Sequence, residues 1–289
     1  MLPTSANASS SPSTPIASET PSETSPEALK QALAQARQQL HDMAAAHEEF
    51  LRAVSHDLRA PLRHVTSYGA LVRELLVELR AAQPQAQPAL EEALEFVGTM
   101  EHSSRRMALM IDGLQALSRA SRAPLVRAPV ALDQAVAAAV QAAVQSAETT
   151  ARSGPGQAVM AEVVAWDIAA HLPPLQADAA LLQQLLQQLL GNALKFSRVR
   201  SPARIAVRTE PGAAGRVRWC VQDNGVGFDG ARATQLLGVF QRMHRETEFP
   251  GVGAGLALCR QIALRHGAHM EVRASLGEGC TVWIDWPAA

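Results

Sequence analysis

Apolar residues recur at Leu51, Val54, Leu58, Leu62, Val65, Val72, Leu75 and Leu79, in steps of three and four with one double step. That period predicts one long helix with a packed seam over about residues 27–80. Ser25-Pro26-Glu27 supplies a helix start. AAQPQAQP, residues 81–88, breaks the pattern with two prolines. A second stripe then follows at Leu90, Leu94, Val97, Met107, Ile111, Leu114 and Leu117. Two long helices joined by a short polar link predict an antiparallel hairpin. A lone hairpin leaves an apolar stripe uncovered, so two hairpins are expected to pair as a dimeric four-helix bundle, which makes the protein a homodimer.

The period changes further along. SRASRAPLVRAP, residues 118–129, reads as linker sequence. A helix is expected over about 132–150, a strand in AEVVAW at 161–166 and a strong helix in LLQQLLQQLLGNALKF at 181–196. Strands RIAVRT (204–209) and RVRWCVQD (216–223) flank the turn PGAAG. A Gly-rich stretch, a helix over 254–266 and the strands HMEVRAS and CTVWIDW complete the chain. The expected class is α+β, with helices on one face of a mixed sheet. Domain boundaries are drawn at 27–122 (helical), 123–130 (linker) and 131–289 (α/β). Residues 1–26 are rich in Ser, Thr and Pro and are expected to be a disordered tail.

Composition narrows the partners. The chain has 289 residues, is 47% hydrophobic and carries a formal net charge of -1. It can fill a core, but has no basic excess for nucleic acid or an anionic membrane. No span reaches the roughly 20 apolar residues of a bilayer crossing, and the N-terminus lacks a secretory pattern. Cys220, Cys259 and Cys280 form no CxxC pair, which fits buried thiols in a reducing compartment. A cytoplasmic location is expected.

Four stretches carry candidate chemistry. In Ser55-His56-Asp57-Leu58, His56 stands two positions from both Val54 and Leu58, off the seam. A carboxylate beside an imidazole can hold one ring nitrogen protonated and leave the other nucleophilic. Alone, the pair also suits a solvated surface histidine. In Asn192-Ala193-Leu194-Lys195, an amide that can ligate Mg²⁺ and an ammonium that can meet a phosphate share a helix face. Lys30 and Lys195 are the only lysines among 26 basic residues. Such a pair also serves as ordinary helix polarity. Asp223-Asn224-Gly225-Val226-Gly227 follows a strand; an Asp there can accept from a purine amine, while DNG is equally a tight turn. Gly251-Val252-Gly253-Ala254-Gly255 runs into a helix N-terminus, an anion site that is neither a Walker loop nor a GxGxxG fingerprint.

In order and spacing, these stretches resemble the histidine kinases of two-component systems. SHDLRAP resembles the H box, LLGNALKF the N box, DNGVGF the first Gly box, VFQRMH the F box and GVGAGLALCRQIALRHG the second Gly box. The ending ASLGEGCTVWIDWP is similar to the family's final hairpin. RMH and the HD pair look most like the phytochrome-type branch. The resemblance covers about residues 45–289. It implies a dimerisation and phosphoacceptor domain followed by an α/β-sandwich Bergerat-type ATPase domain.

By position, the resemblance implies that His56 accepts the phosphate, with Asp57 as its acid/base partner. It implies that Asn192 holds Mg²⁺, Lys195 lies near the phosphates and Asp223 binds adenine. Gly225 and Gly227 would shape that pocket, and Gly251, Gly253 and Gly255 would wrap the phosphates. Residues 229–250 would form a lid in which Arg242 and His244 contact the γ-phosphate. ATP and Mg²⁺ are the implied cofactors, and a response regulator receiver domain is the implied partner. Residues 1–44 show no recognisable sensor domain, so a separate sensor protein is a further expected partner. Gln188 stands where the family usually has Asn, Val252 where Thr is common, Cys280 where Ser or Thr is common, and Ala60 lacks the polar group that supports phosphatase activity in another branch. Gln188 and Val252 are the basis for an alternative, a degenerate ATP-binding adaptor without turnover.

Overall fold

The structure is a computed structural model that describes residues 26–82, 87–153 and 164–288. Side chains of the first helix are described from Leu58 onward and at a few earlier positions, Ser55 among them. The tail expected over 1–26 falls almost wholly outside the described residues. The chain divides into two units, Met1–Glu48 and Glu49–Ala289. The second unit holds most of the hairpin and the whole helix-covered sheet.

Helix α1 runs Pro26–Ala82 and α2 runs Gln87–Arg122. They form the expected hairpin. Leu62 of α1 and Val97 and Ile111 of α2 are buried. Glu101 is buried too and is held by Arg73 and by Arg105, the latter at 2.8 Å. Gly69 faces it: a Cβ there would stand 3.1 Å from Glu101 Cγ. Near the other end, Arg59 donates to Asp112 and Gln115, both at 2.6 Å. Most of the α1 stripe stays exposed in the single chain, including Leu58, Val65, Val72, Leu75 and Leu79. α2 continues as helix through Arg122, so the SRASR segment read as linker is helical.

The second half is a helix-covered sheet. Strands β2 (Val164–Ile168), β4 (Ala203–Glu210), β5 (Arg216–Asp223), β7 (Gly279–Pro287) and β6 (His269–Ser275) lie in the order β2-β4-β5-β7-β6. β2 pairs parallel with β4, and the rest are antiparallel. Helices α3 (Leu132–Ser153), α4 (Ala179–Ser197) and α5 (Gly255–Arg265) share the core of this domain. Leu182, Leu185, Leu186 and Leu190 of α4 pack on Ile205, Trp219 and Ile284 of the sheet, all fully buried. The run of leucines at steps of three and four makes α4 the central helix.

Two short strands escape the sequence pattern. β1 (Ala128–Val130) pairs antiparallel with β3 (Leu175–Ala177). Three residues are too few to show a period of two. Just after β3, Asp178 caps α4: its Oδ1 accepts from the N–H groups of Ala180 and Leu181, both at 3.1 Å. Its Oδ2 accepts from Val126 N–H at 3.2 Å. Burial works against the charge, yet these N–H groups hold the Asp178 carboxyl below its ordinary value. The Asp178 N–H donates to His266 Nε2 at 3.0 Å, and His266 Nδ1 lies 2.8 Å from Ile262 O. The ring is therefore the neutral tautomer with its proton on Nδ1, and burial pushes its pKa down.

Cys220 and Cys259 are buried free thiols, and Cys280 is half-buried. Among the described residues, no helix is long and apolar enough to cross a membrane.

Candidate functional site: a cavity between the sheet, α4, α5 and the second hairpin helix

A cavity of about 440 Å³ opens at the ends of α4 and β5. Asn192 and Lys195 reach it from α4, and Asp223 from the end of β5. Gly227 lines it from the loop after β5; Arg242 and His244 line it from the segment after the 3-10 turn Gly230–Leu237. Gly251, Gly253 and Gly255 line it from the approach to α5. The positions singled out in the nucleotide-site motifs thus converge here, except Gly225, which lies just behind the wall. His56 and Asp57 lie within α1, one turn before Arg59, but their side chains fall outside the described residues.

Two glycines are needed by the geometry. Gly227 has φ +59, and a Cβ there would fall 1.8 Å from Ser275 O. Gly253 has φ +78, and a Cβ would fall 2.4 Å from Gln241 O. Both sit where an L side chain is strained and where another stretch of backbone already occupies the space. The loop after β5 is fixed by its neighbours. Gly225 N–H donates to Asp223 Oδ1 at 2.8 Å, and Val226 N–H donates to Phe196 O at 3.3 Å. Arg200 donates to Asn224 O at 3.1 Å and to Gly225 O at 3.3 Å. Asn224 Oδ1 accepts from Arg204 N–H at 2.8 Å.

An aromatic cluster anchors the far wall. Phe196, His244 and Phe249 have ring centroids 5.0 to 5.6 Å apart. His244 Nε2 lies 2.9 Å from Gly227 O, which ties this segment to the loop after β5. Phe240 N–H donates to Gly253 O at 2.9 Å, so the segment also grips the approach to α5.

The electrostatics are those of a desolvated, polarised site. Burial pushes the Asp223 carboxyl up to about 6, against two N–H groups from Gly225 and Cys280. Burial pushes the Cys280 thiol up to about 12, helped by Asp223 beside it. Burial, then Arg242 and Arg198, lower Lys195 to about 8. Lys195 Nζ donates to Pro250 O at 3.4 Å and stands 4.3 Å above the Phe196 ring. At the start of α5, Ala254 provides no side-chain cap, so the first N–H groups of that helix face the cavity without one. Arg242 Nη1 is buried and makes no hydrogen bond. Free helix N–H groups, a lysine and an unsatisfied guanidinium nitrogen fit an anion. Asn192, with Gln188 one turn earlier, supplies amide oxygens of the kind Mg²⁺ accepts. Gln188 Oε1 points to the start of α5: a Cβ at Gly255 would lie 2.6 Å from it.

One wall was not foreseen from the sequence. Leu109, Asp112, Gly113 and Ala116 of α2 line the same cavity. A Cβ at Gly113 would stand 2.8 Å from Ala254 Cβ, so the helix backbone abuts the approach to α5. Arg265 reaches from α5 to the end of α2, donating to Ala120 O at 2.9 Å and Ala123 O at 2.6 Å. A glycine inside a helix was the available signal, because it costs stability unless close packing requires it.

Comparison with known proteins gives these features a family. Residues 46–122 match the His Kinase A (phospho-acceptor) domain. Residues 177–289 match the histidine kinase-, DNA gyrase B- and HSP90-like ATPase family. The chain is 31% identical over 257 residues to Cyanobacterial phytochrome A of Nostoc sp., covering 86% of this chain and 30% of that protein. It is 29% identical over 246 residues to the circadian input-output histidine kinase CikA of Synechococcus elongatus, covering 83% of this chain and 30% of that protein. The chain thus spans about a third or less of the length of these relatives. Full-length ShkA in complex with AMPPNP shares the fold, with a TM-score of 0.54 and 23% identity over 83% of this chain and 46% of that one. With both domains matched and in that order, the chain belongs to the sensor histidine kinases, whose phospho-acceptor and ATPase domains it carries.

Proposed function

We propose that this chain takes the γ-phosphate of ATP onto His56 and passes it to an aspartate of a response regulator receiver domain, as a homodimeric, cytoplasmic relay protein. The observation that carries the reading is the cavity itself, where Asp223, Asn192, Lys195 and the Gly251–Gly255 approach face one space beside the hairpin that bears His56. In this reading Asp223 accepts from the adenine amine, and the Gly-rich approach and Lys195 hold the phosphates. Arg242 and His244 meet the γ-phosphate. Asn192 holds Mg²⁺, which when bound neutralises charge on the phosphates. Asp57 keeps one nitrogen of His56 protonated so that the other can attack in line. The free thiols support the cytoplasm. The test is transfer: label carried by the phosphorylated chain is expected to move to a purified receiver domain, and label that never leaves for any receiver tested contradicts the relay.

The pH dependence of nucleotide binding follows from Asp223. Its pKa is raised by burial to about 6, so the ionised form that accepts from adenine becomes the minor one below about that pH. Binding selects that form. Nucleotide affinity is therefore expected to fall as pH drops through about 6, with a proton released on binding near that pH. Asp223→Asn, neutral at every pH, is expected to lose the dependence. Calorimetry in buffers of differing ionisation enthalpy measures both.

The dimer reading rests on the stripe of α1 left exposed in the single chain. Leu75, on that stripe, is 59% exposed in the single chain. Leu75→Glu places a carboxylate in the proposed dimer seam at a cost of several kcal/mol unless it is paired. Sedimentation is expected to show a wild-type dimer at micromolar concentration and a monomer for the variant. A monomeric wild type contradicts the bundle.

A further inference from the structure

Glu246 sits in the segment expected to form the lid, with a side chain 21% exposed, and two guanidinium groups and one imidazole surround its carboxylate. His102 Nε2 of α2 lies 3.5 Å from Oε1. Arg106 Nε of α2 lies 3.4 Å from Oε2, and Arg242 Nη1 lies 3.6 Å from the same oxygen. These are ion-pair distances, and the Arg242 one is too long for a hydrogen bond. Two arginines, one from the hairpin and one from the candidate site, therefore share one carboxylate oxygen.

Arg242 is held by its other nitrogens. Nη2 donates to Phe249 O at 2.6 Å and Nε to His244 O at 3.4 Å. Those bonds fix the guanidinium plane and leave Nη1 as the atom that is buried and without a hydrogen bond. Its charge is available to Glu246 or to an anion in the cavity that Arg242 lines. What decides between them is how much of the Glu246 charge Arg106 and His102 already occupy.

Those two residues belong to the face of α2 that meets the ATPase domain. His102, Arg106, Leu109, Gly113, Ala116 and Ala120 follow one another in steps of four, three, four, three and four. That spacing puts all six on one helix face. The Gly113–Ala254 approach and the Arg265 bonds to Ala120 and Ala123 tie the same face to α5. Docking of α2 thus delivers His102 and Arg106 to Glu246.

We propose that Glu246 is a positioning residue for Arg242, and that α2, through Arg106 and His102, draws Glu246 away from Arg242 so that Nη1 is free for the terminal phosphate of ATP. The hairpin then sets how well the site distinguishes ATP from ADP. When α2 is displaced, Glu246 closes on Arg242 and competes with the phosphate. The inference rests on the reading of Arg242 as a γ-phosphate contact, and adds to it a control by the hairpin.

The experiment measures the ratio of ATP to ADP affinity in the full chain carrying His56→Ala, which prevents transfer. The variants are Arg106→Gln, Glu246→Gln, the pair together, and Arg242→Gln. Arg106 is half-exposed, so its replacement leaves the core intact. Arg106→Gln is expected to lower the ratio about five-fold, the low end of typical coupling between sites. In the Glu246→Gln background the same change is expected to have no effect, because the competing charge is gone. Arg242→Gln is expected to remove most of the discrimination. If Arg242→Gln lowers the ratio and Arg106→Gln does not, the coupling is wrong while the γ-phosphate contact stands. If Arg106→Gln acts equally with and without Glu246, the hairpin works by another route and the proposal falls. If Arg242→Gln leaves the ratio unchanged, the contact and the coupling fail together.

Discussion

Replacing His56 with Gln is expected to abolish phosphoryl incorporation from ATP while leaving nucleotide binding intact. The expectation comes from the SHDLRAP context and from where α1 places it. His56 stands one turn before Arg59, and Arg59 bonds Asp112, which lines the nucleotide cavity. The hairpin thus brings the stretch of α1 around His56 to the height of the cavity. Phosphoryl transfer asks the protein mainly for an aligned nucleophile and stabilised charge. Gln keeps a polar side chain of similar reach but has no nucleophilic nitrogen, since its amide lone pair is delocalised. Transfer measured with γ-labelled ATP, beside affinity measured for a fluorescent analogue, separates chemistry from binding. Incorporation by the variant at the wild-type rate would falsify the assignment of His56.

Asp223→Ala is expected to weaken nucleotide binding about 5- to 150-fold, the equivalent of about 1–3 kcal/mol for an unmade buried hydrogen bond. Asp223 sits at the end of β5, mostly buried, with N–H groups of Gly225 and Cys280 on its carboxylate. The carboxylate is kept at a desolvation cost that the fold alone does not explain, since a neutral side chain in that turn would avoid it. In the proposed reading, the adenine amine is a further donor to that carboxylate. Guanine carries a carbonyl in place of the adenine amine, so the wild type is expected to prefer ATP over GTP, and the variant is expected to lose that preference. Equal binding of ATP and GTP by the wild type contradicts the role.

The elements with long periods were legible in the sequence and the short ones were not. α1, α2 and α4 show steps of three and four over many turns, and their observed spans differ from the expected ones by only a few residues. The two hairpin strands flanking PGAAG and the closing β6–β7 pair were equally plain. β1 and β3 lie below the length at which alternation can be read. SRASR reads as linker because it lacks large apolar residues; it is helical, and Arg265 donates to the carbonyls of Ala120 and Ala123 at its end.

In the cavity, residue types that signal their chemistry, such as Asn192, Lys195, Asp223 and the glycines, were visible from their local stretches. The contribution of α2 was not. Gly113, Ala116 and Ala120 are small and score weakly in any apolar pattern, yet small residues are what lets a helix approach α5 this closely. Glu246 carries no signal of its own either, since its meaning depends on His102 and Arg106 arriving from a helix about 140 residues earlier in the chain.

Phosphate from ATP is expected to become bonded to a histidine nitrogen of this chain. The most direct measurement is to incubate the wild-type protein with γ-labelled ATP and Mg²⁺, remove the nucleotide, and follow the protein-bound label in acid and in base. A phosphoramidate is lost in acid and survives in base, and that is the predicted result. Label that survives acid marks a phosphate ester on Ser or Thr and contradicts the account, as does an absence of label in a protein shown to bind ATP.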